Sequence, residues 1–137
     1  PRALMKERNL NFSFSGLKTA VLYALDDLEE KDYPDVAASF QEAVIDVLIK
    51  KLTYAIEETG IKKLVCSGGV AANRLLRERL TDMCKTSELE VSYPKMEFCT
   101  DNAAMIAYAG FIRKKYNLKE YPTKYARPRW PLGELYD

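Results

Sequence analysis

The chain has 137 residues, of which 47% are hydrophobic and 30% are charged. That size and apolar content suit one domain with a single buried core. Its 21 Lys and Arg residues nearly balance its 20 Asp and Glu residues, and a net charge of +1 argues against nucleic-acid binding by bulk positive charge. The sequence contains no histidine, which removes histidine-based acid–base catalysis, Ser–His triads and H-E-x-x-H zinc sites from the chemistry of these residues.

The cysteines and the ends of the sequence predict a cellular setting. Cys66, Cys84 and Cys99 are odd in number and show no C-x-x-C spacing, so we expect three small buried thiols in a reducing cytosol. No apolar run approaches the roughly 20 residues of a membrane span, and no signal peptide is visible. The first residue is Pro1 and not Met, which reads like the middle of a longer chain. These features predict a cytoplasmic protein without membrane contact.

The first elements are predicted from two periodicities. Residues 11–15 (Asn-Phe-Ser-Phe-Ser) alternate polar and aromatic side chains, which predicts a half-buried strand. Phe12 and Phe14 on one face of that strand are expected in the core, with ligand stacking as the alternative. Gly16 ends the strand, and apolar residues at helical spacing then predict a helix to about Glu30.

A long helix is the clearest prediction. One apolar stripe runs from Val36 to Ile56 at i, i+3, i+4 spacing. Pro34 lies near its start and Gly60 just past its end, and these are the residues expected at the two ends of a helix. We expect this helix to be a main packing element.

A strand, a helix and a second strand are predicted next. Residues 61–66 predict a short buried strand, residues 67–69 a tight turn, and residues 71–83 an amphipathic helix. Residues 89–93 alternate as a strand that ends at Pro94. Strands that alternate with helices predict an α/β fold with crossover connections.

The last elements are a short extended piece at residues 96–99 and a helix from residue 100 or 101 to about 116. Residues 103–112 are apolar on nearly all sides, so we expect this helix to be buried on more than one face. The tail from residue 117 is rich in Pro and Arg and has no clear period.

The segment Ser67-Gly68-Gly69-Val70-Ala71-Ala72-Asn73 is the first candidate site. Gly68 and Gly69 can adopt positive φ and leave room for a ligand, and the free N–H groups of a following helix attract anions. Asn73, in the first helical turn, can donate and accept hydrogen bonds. A phosphate or nucleotide site is one interpretation, and close packing of helix on sheet is the other. Neither G-x-G-x-x-G nor G-x-x-x-x-G-K-[ST] is present.

The second candidate site is Thr100-Asp101-Asn102, where a polar run meets the last helix. Either Thr100 or Asp101 caps that helix, or Asp101 is a metal ligand. One carboxylate does not hold a cation alone.

The tail at residues 124–132 interleaves basic and aromatic residues. Such a pattern can bind RNA by backbone contacts and base stacking. The alternative, which we favour, is an extended arm whose Trp130 and Leu132 dock in a groove.

Taken together and in this order, four stretches closely resemble one family. They are FSFSGLKTAV at 12–21, SGGVAANRLLRERL at 67–80, CTDNAAMIAYAG at 99–110 and RPRWPL at 127–132. The family is that of the tRNA N6-adenosine threonylcarbamoyltransferases known as TsaD, formerly Gcp or O-sialoglycoprotein endopeptidase, and the ending resembles the bacterial branch.

The resemblance implies a two-lobed actin/Hsp70-like ATPase fold with a ribonuclease H-like lobe. Residues 1–116 would form part of the C-terminal lobe, with few strands covered by several helices, and residues 117–137 an extended arm. The implied activity is the transfer of a threonylcarbamoyl group from threonylcarbamoyl-adenylate to N6 of adenosine 37 in tRNAs that read ANN codons. The implied protein partners are TsaB-like and TsaE-like.

The resemblance also implies residue roles. Asn73 would contact the adenylate or an ATP-type nucleotide, with Gly68 and Gly69 beside it. Asp101 would be one ligand of an iron or zinc ion. No catalytic nucleophile or general base can be named in this sequence.

The sequence departs from the family in length, because family members are more than twice as long and carry the other metal ligands in an H-x-x-x-H pair. We therefore expect a C-terminal fragment that is inactive alone and self-associates through uncovered apolar surface. A non-catalytic nucleotide-binding or protein-interaction module is the alternative. The older peptidase label has no support, since neither H-E-x-x-H nor a Ser–His pair exists here.

Overall fold

The computed structural model of the protein describes residues 1–118 and residue 129. These residues belong to two compact units, Pro1–Asp101 and a second unit that begins at Asn102. The first unit contains helices α1 (Ser15–Asp26), α2 (Tyr33–Thr59) and α3 (Arg74–Thr86), strands β1 (Lys63–Val65) and β2 (Glu90–Ser92), and three 3₁₀ turns at Glu30–Asp32, Gly69–Ala72 and Met96–Phe98; the second unit contains α4 (Ala103–Lys115).

The long helix α2 confirms the clearest sequence prediction. Pro34 lies in its first turn, where a missing N–H costs nothing. Gly60 ends it in a left-handed conformation, φ 67°, and its N–H donates to the Ile56 carbonyl at 2.8 Å. The apolar stripe of α2 faces α3, and the core forms around Ile45, Leu76 and Leu80.

Strands β1 and β2 pair in parallel, with Leu64 opposite Val91. A parallel pair needs a crossover connection, and α3 provides it. The mixed α/β class is therefore confirmed for the described residues, as mostly helices with a two-stranded parallel sheet.

The strand predicted at residues 11–15 is wrong. Residues 11–14 have no regular structure, and α1 begins at Ser15. Alternation makes a strand only where a neighbouring strand accepts its hydrogen bonds, and the sheet in the described part of the chain pairs β1 with β2 alone. The rings of Phe12 and Phe14 do stack at 6.3 Å, but Phe12 is 50% exposed and does not belong to the core.

Three predictions of burial or shape are also wrong. The strand around β1 is not buried, since Val65 is 75% exposed. Residues 96–99 form a 3₁₀ turn at Met96–Phe98 instead of an extended piece. Helix α4 has no buried residue, although its sequence predicts burial on more than one side. In β1 and α4 the prediction of burial failed because apolar side chains lie uncovered at the surface, whereas the 3₁₀ turn is a separate error of shape.

The cysteine prediction is confirmed in part. All three thiols are free, and Cys99 is buried, whereas Cys66 and Cys84 are only partly covered. No helix within the described ranges is long and apolar enough to cross a membrane. The predicted arm at residues 117–137, with its segment 124–132, lies outside the described residues apart from positions 117, 118 and 129.

Candidate functional site

The loop Ser67–Asn73, which we call the glycine loop, follows β1 and lies at the protein surface. Gly68 has φ 85° and ψ 176°, a conformation that side-chain-bearing residues rarely adopt. Gly69 begins the 3₁₀ turn and has no such backbone requirement. A Cβ added to Gly69 would meet no atom of the described residues within 4 Å. Close packing of helix on sheet therefore does not explain Gly69 here.

Asn73 is the N-cap of α3, one residue before the helix, and not part of its first turn. Its Oδ1 accepts a hydrogen bond from the Leu76 N–H at 3.0 Å, and its Nδ2 donates to Gln41 Oε1 at 2.7 Å. The side chain thus caps α3 and ties it to α2. One amide hydrogen and one lone pair are left for a ligand.

The 3₁₀ turn also separates the glycines from α3, so the N-terminus of that helix does not follow directly on them as the sequence suggested. The N–H groups of Ala71 and Asn73 bond within the turn, to the carbonyls of Gly68 and Val70 at 2.9 and 3.0 Å. Two N–H groups of the glycine loop are therefore already satisfied within the turn.

Asp101 is exposed and is not the cap of α4. That role falls to Asn102, whose Oδ1 accepts from the Met105 N–H at 2.9 Å. The capping alternative for Thr100 or Asp101 is therefore wrong, because the helix begins later than the sequence suggested. Within the described residues no three His, Cys, Asp or Glu side chains are grouped to hold a metal, so Asp101 alone does not form a metal site.

Arg77, in the first half of α3, joins the two candidate segments. Its Nε donates to the Ala71 carbonyl in the glycine loop at 2.6 Å. Its Nη2 donates to the Pro94 carbonyl at 3.0 Å and contacts Cys99 Sγ at 3.2 Å. Asp101 follows Cys99 by two residues, so their Cα atoms are within about 7.6 Å of each other. The guanidinium of Arg77 therefore contacts both the glycine loop and the segment leading to Asp101.

A groove of about 450 Å³ lies beside the glycine loop. That volume is in the range of small-molecule pockets, and most of its wall is apolar. The lining residues are Leu10, Phe12, Leu48, Ile49, Lys51, Leu52, Ala55, Leu64, Val65, Cys66, Ser67, Val70, Ala71, Leu76 and Leu80. Asn73 and Asp101 do not line this groove.

Comparison with known proteins agrees with the motifs. The family model described as TsaD, tRNA N6-adenosine threonylcarbamoyltransferase, matches residues 1–108. The chain belongs to the TsaD family. A tRNA N6-adenosine threonylcarbamoyltransferase from Methylobacillus flagellatus is 48% identical over 139 aligned positions, which cover 98% of this chain. The chain spans 41% of the length of that TsaD relative.

Two functional candidates of this TsaD chain were missed by sequence reasoning, Arg77 and Lys51. Lys51 is 1% exposed, and its Nζ donates to the Glu7 carbonyl at 2.9 Å and to the Asn9 carbonyl and Oδ1 at 2.6 and 3.1 Å. It thereby holds the segment that supplies one wall of the groove. In both cases the sequence held a signal, namely a cation on the apolar stripe of a helix. Lys51 stands four residues after Val47 in α2, and Arg77 stands three residues before Leu80 in α3.

Cys66, the residue that follows β1, lines the groove beside the glycine loop. Burial raises the pKa of the Cys66 thiol, the charge of Arg77 opposes that rise, and Cys99 adds to it. At neutral pH Cys66 is thus a protonated, weakly reactive thiol.

Proposed function

We propose that this chain forms the adenylate-binding part of a tRNA N6-adenosine threonylcarbamoyltransferase. Its substrates would be threonylcarbamoyl-adenylate and tRNAs that read ANN codons, with transfer to N6 of adenosine 37. The proposal is supported by membership of the TsaD family and by the activity for which the Methylobacillus relative is named. The structural observation that carries it is Gly69, whose missing side chain leaves open surface beside a ligand-sized groove.

The contribution of these residues would be binding and orientation. The open face at Gly68 and Gly69 lets the phosphate of the adenylate approach the backbone, and the remaining Asn73 amide hydrogen donates to it. Holding the acyl-adenylate in one orientation lowers the entropy cost of its reaction with the tRNA amine. None of the residues assigned to the site is a nucleophile or a general base.

The iron or zinc implied by the family does not fit the residues of this chain by themselves. Asp101 offers one hard oxygen ligand, and the described residues supply no group of three to complete a site. We propose Asp101 as a single ligand that other residues of a longer TsaD chain would complete. No step of the reaction is derived through the metal.

The tRNA and the TsaB-like and TsaE-like proteins belong to this proposal as partners. A non-catalytic nucleotide-binding module is the competing function, because the same open loop would serve it. Binding without transfer distinguishes the module from the enzyme. A peptidase has no comparable observation in its favour, and both matches are described as transferases.

The first experiment measures activity in a chimera in which residues 1–137 replace the matching 41% of the Methylobacillus relative. We expect the chimera to form threonylcarbamoyl-adenosine in tRNA, detected by mass spectrometry of digested tRNA, and the 137-residue chain alone to form none. A chimera that binds the adenylate but never modifies tRNA would favour the non-catalytic module.

Gly69→Ala tests the glycine loop. The added methyl group meets open space, so we expect the free energy of unfolding to change by less than about 1 kcal/mol. Adenylate affinity, measured by calorimetry on the chimera, should fall by about 1–3 kcal/mol because the methyl group displaces the ligand from backbone donors.

Gly16→Ala is the matched control, since Gly16 also faces open space but lies in the first turn of α1. It should leave adenylate affinity unchanged. Equal affinity in wild type and Gly69→Ala would remove the glycine loop from the site.

A further inference from the structure

Arg77 makes an unusual set of contacts for a helical arginine. Its guanidinium donates to two backbone carbonyls, of Ala71 and Pro94, and to the sulfur of Cys99. Its Cζ also lies 4.7 Å from the centre of the Tyr93 ring. A planar fork of donors held against an aromatic ring has a defined orientation, unlike a flexible surface arginine.

The acceptors come from two segments that are far apart in sequence. Ala71 belongs to the glycine loop after β1, whereas Pro94 and Cys99 belong to the segment after β2. Each segment bonds internally through its 3₁₀ turn: the Ala71 N–H donates to the Gly68 carbonyl, and the Cys99 N–H to the Met96 carbonyl at 3.1 Å. These internal bonds shape each segment but do not set the spacing between them.

We propose that Arg77 is a positioning residue that sets the distance between the glycine loop and the segment leading to Asp101. It does so by binding one carbonyl of the loop and two acceptors of the other segment at once. The role in adenylate binding rests on the proposed function, but the mechanical link between the segments does not. Arg77 itself need not touch substrate.

Lysine is a poor substitute for this role. An ammonium can bond several acceptors that converge on one point, as that of Lys51 does, but Arg77 reaches Ala71 and Pro94 with two different nitrogens, Nε and Nη2, of one planar group. A role based on charge alone would be restored by lysine, whereas a role based on geometry would not.

The first test is hydrogen exchange of the 137-residue chain by mass spectrometry, in wild type, Arg77→Met and Arg77→Lys. We expect exchange to rise about tenfold in both segments, residues 69–73 and 96–99, in Arg77→Met. Arg77→Lys keeps the charge and the alkyl stem, so it should fold while both segments still exchange faster than in wild type.

Arg79→Met is the matched control, because Arg79 is exposed on the same helix, carries the same charge and pairs with half-buried Glu42 instead. It should leave both segments at wild-type rates. Three results would each overturn the proposal. They are faster exchange in only one of the two segments of the Arg77 variants, wild-type exchange rates in Arg77→Lys, and exchange in Arg79→Met that is as fast as in Arg77→Met.

The second test is kinetic and uses the active chimera. Arg77→Lys should raise the KM for threonylcarbamoyl-adenylate about tenfold, because the two segments proposed to hold the adenylate shift relative to each other. An unchanged adenylate KM overturns the positioning role at the site. If the wild-type chimera modifies no tRNA, the proposed function fails, and the exchange experiment still decides the link between the segments.

Discussion

At the scale of single residues, this protein uses polar side chains inside helices to organise backbone outside them. Arg77 and Lys51 lie within helices, Asn73 is the N-cap of α3, and each donates a hydrogen bond to a group between 17 and 42 residues away in sequence. A buried polar group without a partner costs free energy, so the partners of these three residues are parts of the fold and not accidents of the surface. Their contacts position the glycine loop, the segment before Asp101 and the wall of the groove.

The pKa of the Cys66 thiol depends on the charge of Arg77. Because burial raises the pKa of the Cys66 thiol and Arg77 opposes this, Arg77→Met should raise the pKa further. The pH at which iodoacetamide labels Cys66 at half its maximal rate, followed by peptide mass spectrometry, should move upward in Arg77→Met and stay in place in Arg79→Met.

The same shift has a defined sign for stability. The fold favours the protonated thiol, so the stabilisation is present below the ordinary thiol pKa of 9.0 and is lost as pH rises above it. A Cys66→Ser variant should therefore lose less free energy of unfolding between neutral and alkaline pH than wild type does. A steeper alkaline loss in Cys66→Ser would contradict the assigned direction.

At the scale of elements, the helix predicted from local signals was right, and the strand whose formation depends on pairing was wrong. Helix α2 was predicted with both ends, because Pro34 and Gly60 act within one turn of their own positions. Residues 11–15 were mispredicted as a strand, because a strand also depends on a partner elsewhere in the chain. In place of sheet pairing, the backbone just before that segment, at Glu7 and Asn9, bonds to Lys51 of α2.

Lys51→Met should therefore destabilise the fold. The methionine fits the apolar stripe of α2 but leaves the carbonyls of Glu7 and Asn9 without their donor, at an expected cost of about 1.5–3 kcal/mol. Urea denaturation of the purified chain measures the change.

Lys50→Met is the control at the neighbouring position. Lys50 is exposed and lies over the Tyr54 ring at 4.7 Å, so its loss should cost less than about 1 kcal/mol. Equal destabilisation by the two substitutions would mean that the contacts of Lys51 do not stabilise the fold.

At the scale of the whole molecule, large apolar side chains are exposed on several described elements, among them β1 and α4. Val65 of β1 is 75% exposed, and in α4 Ile106, Tyr108 and Phe111 are 67%, 65% and 58% exposed. Parallel strands are normally covered on both faces, and a helix that is apolar all round is normally buried. Within the described residues, neither β1 nor α4 has such cover.

Exposed apolar surface of this kind predicts that the 137-residue chain self-associates. Sedimentation velocity over a range of concentrations should show it, and Ile106→Glu should weaken it by placing a charge on the apolar face of α4. Leu22→Glu, which alters a leucine of α1 that is 64% exposed, should have little effect. A wild-type chain that sediments as a monomer at all concentrations would contradict the prediction.

Sequence alone determined the helices, the family and the two candidate segments, because helix boundaries and glycine turns depend on residues a few positions apart. It also indicated Asn73 and Asp101 as candidates, and those roles stay predictions. The structure showed which residues form the local caps, Asn73 for α3 and Asn102 instead of Asp101 for α4. Only the tertiary structure decided that Asn73 also reaches Gln41, 32 residues away, and that Arg77 joins Ala71 to Cys99, which is 22 residues from Arg77. Such pairings follow from how the helices pack against the rest of the chain, which no local pattern encodes.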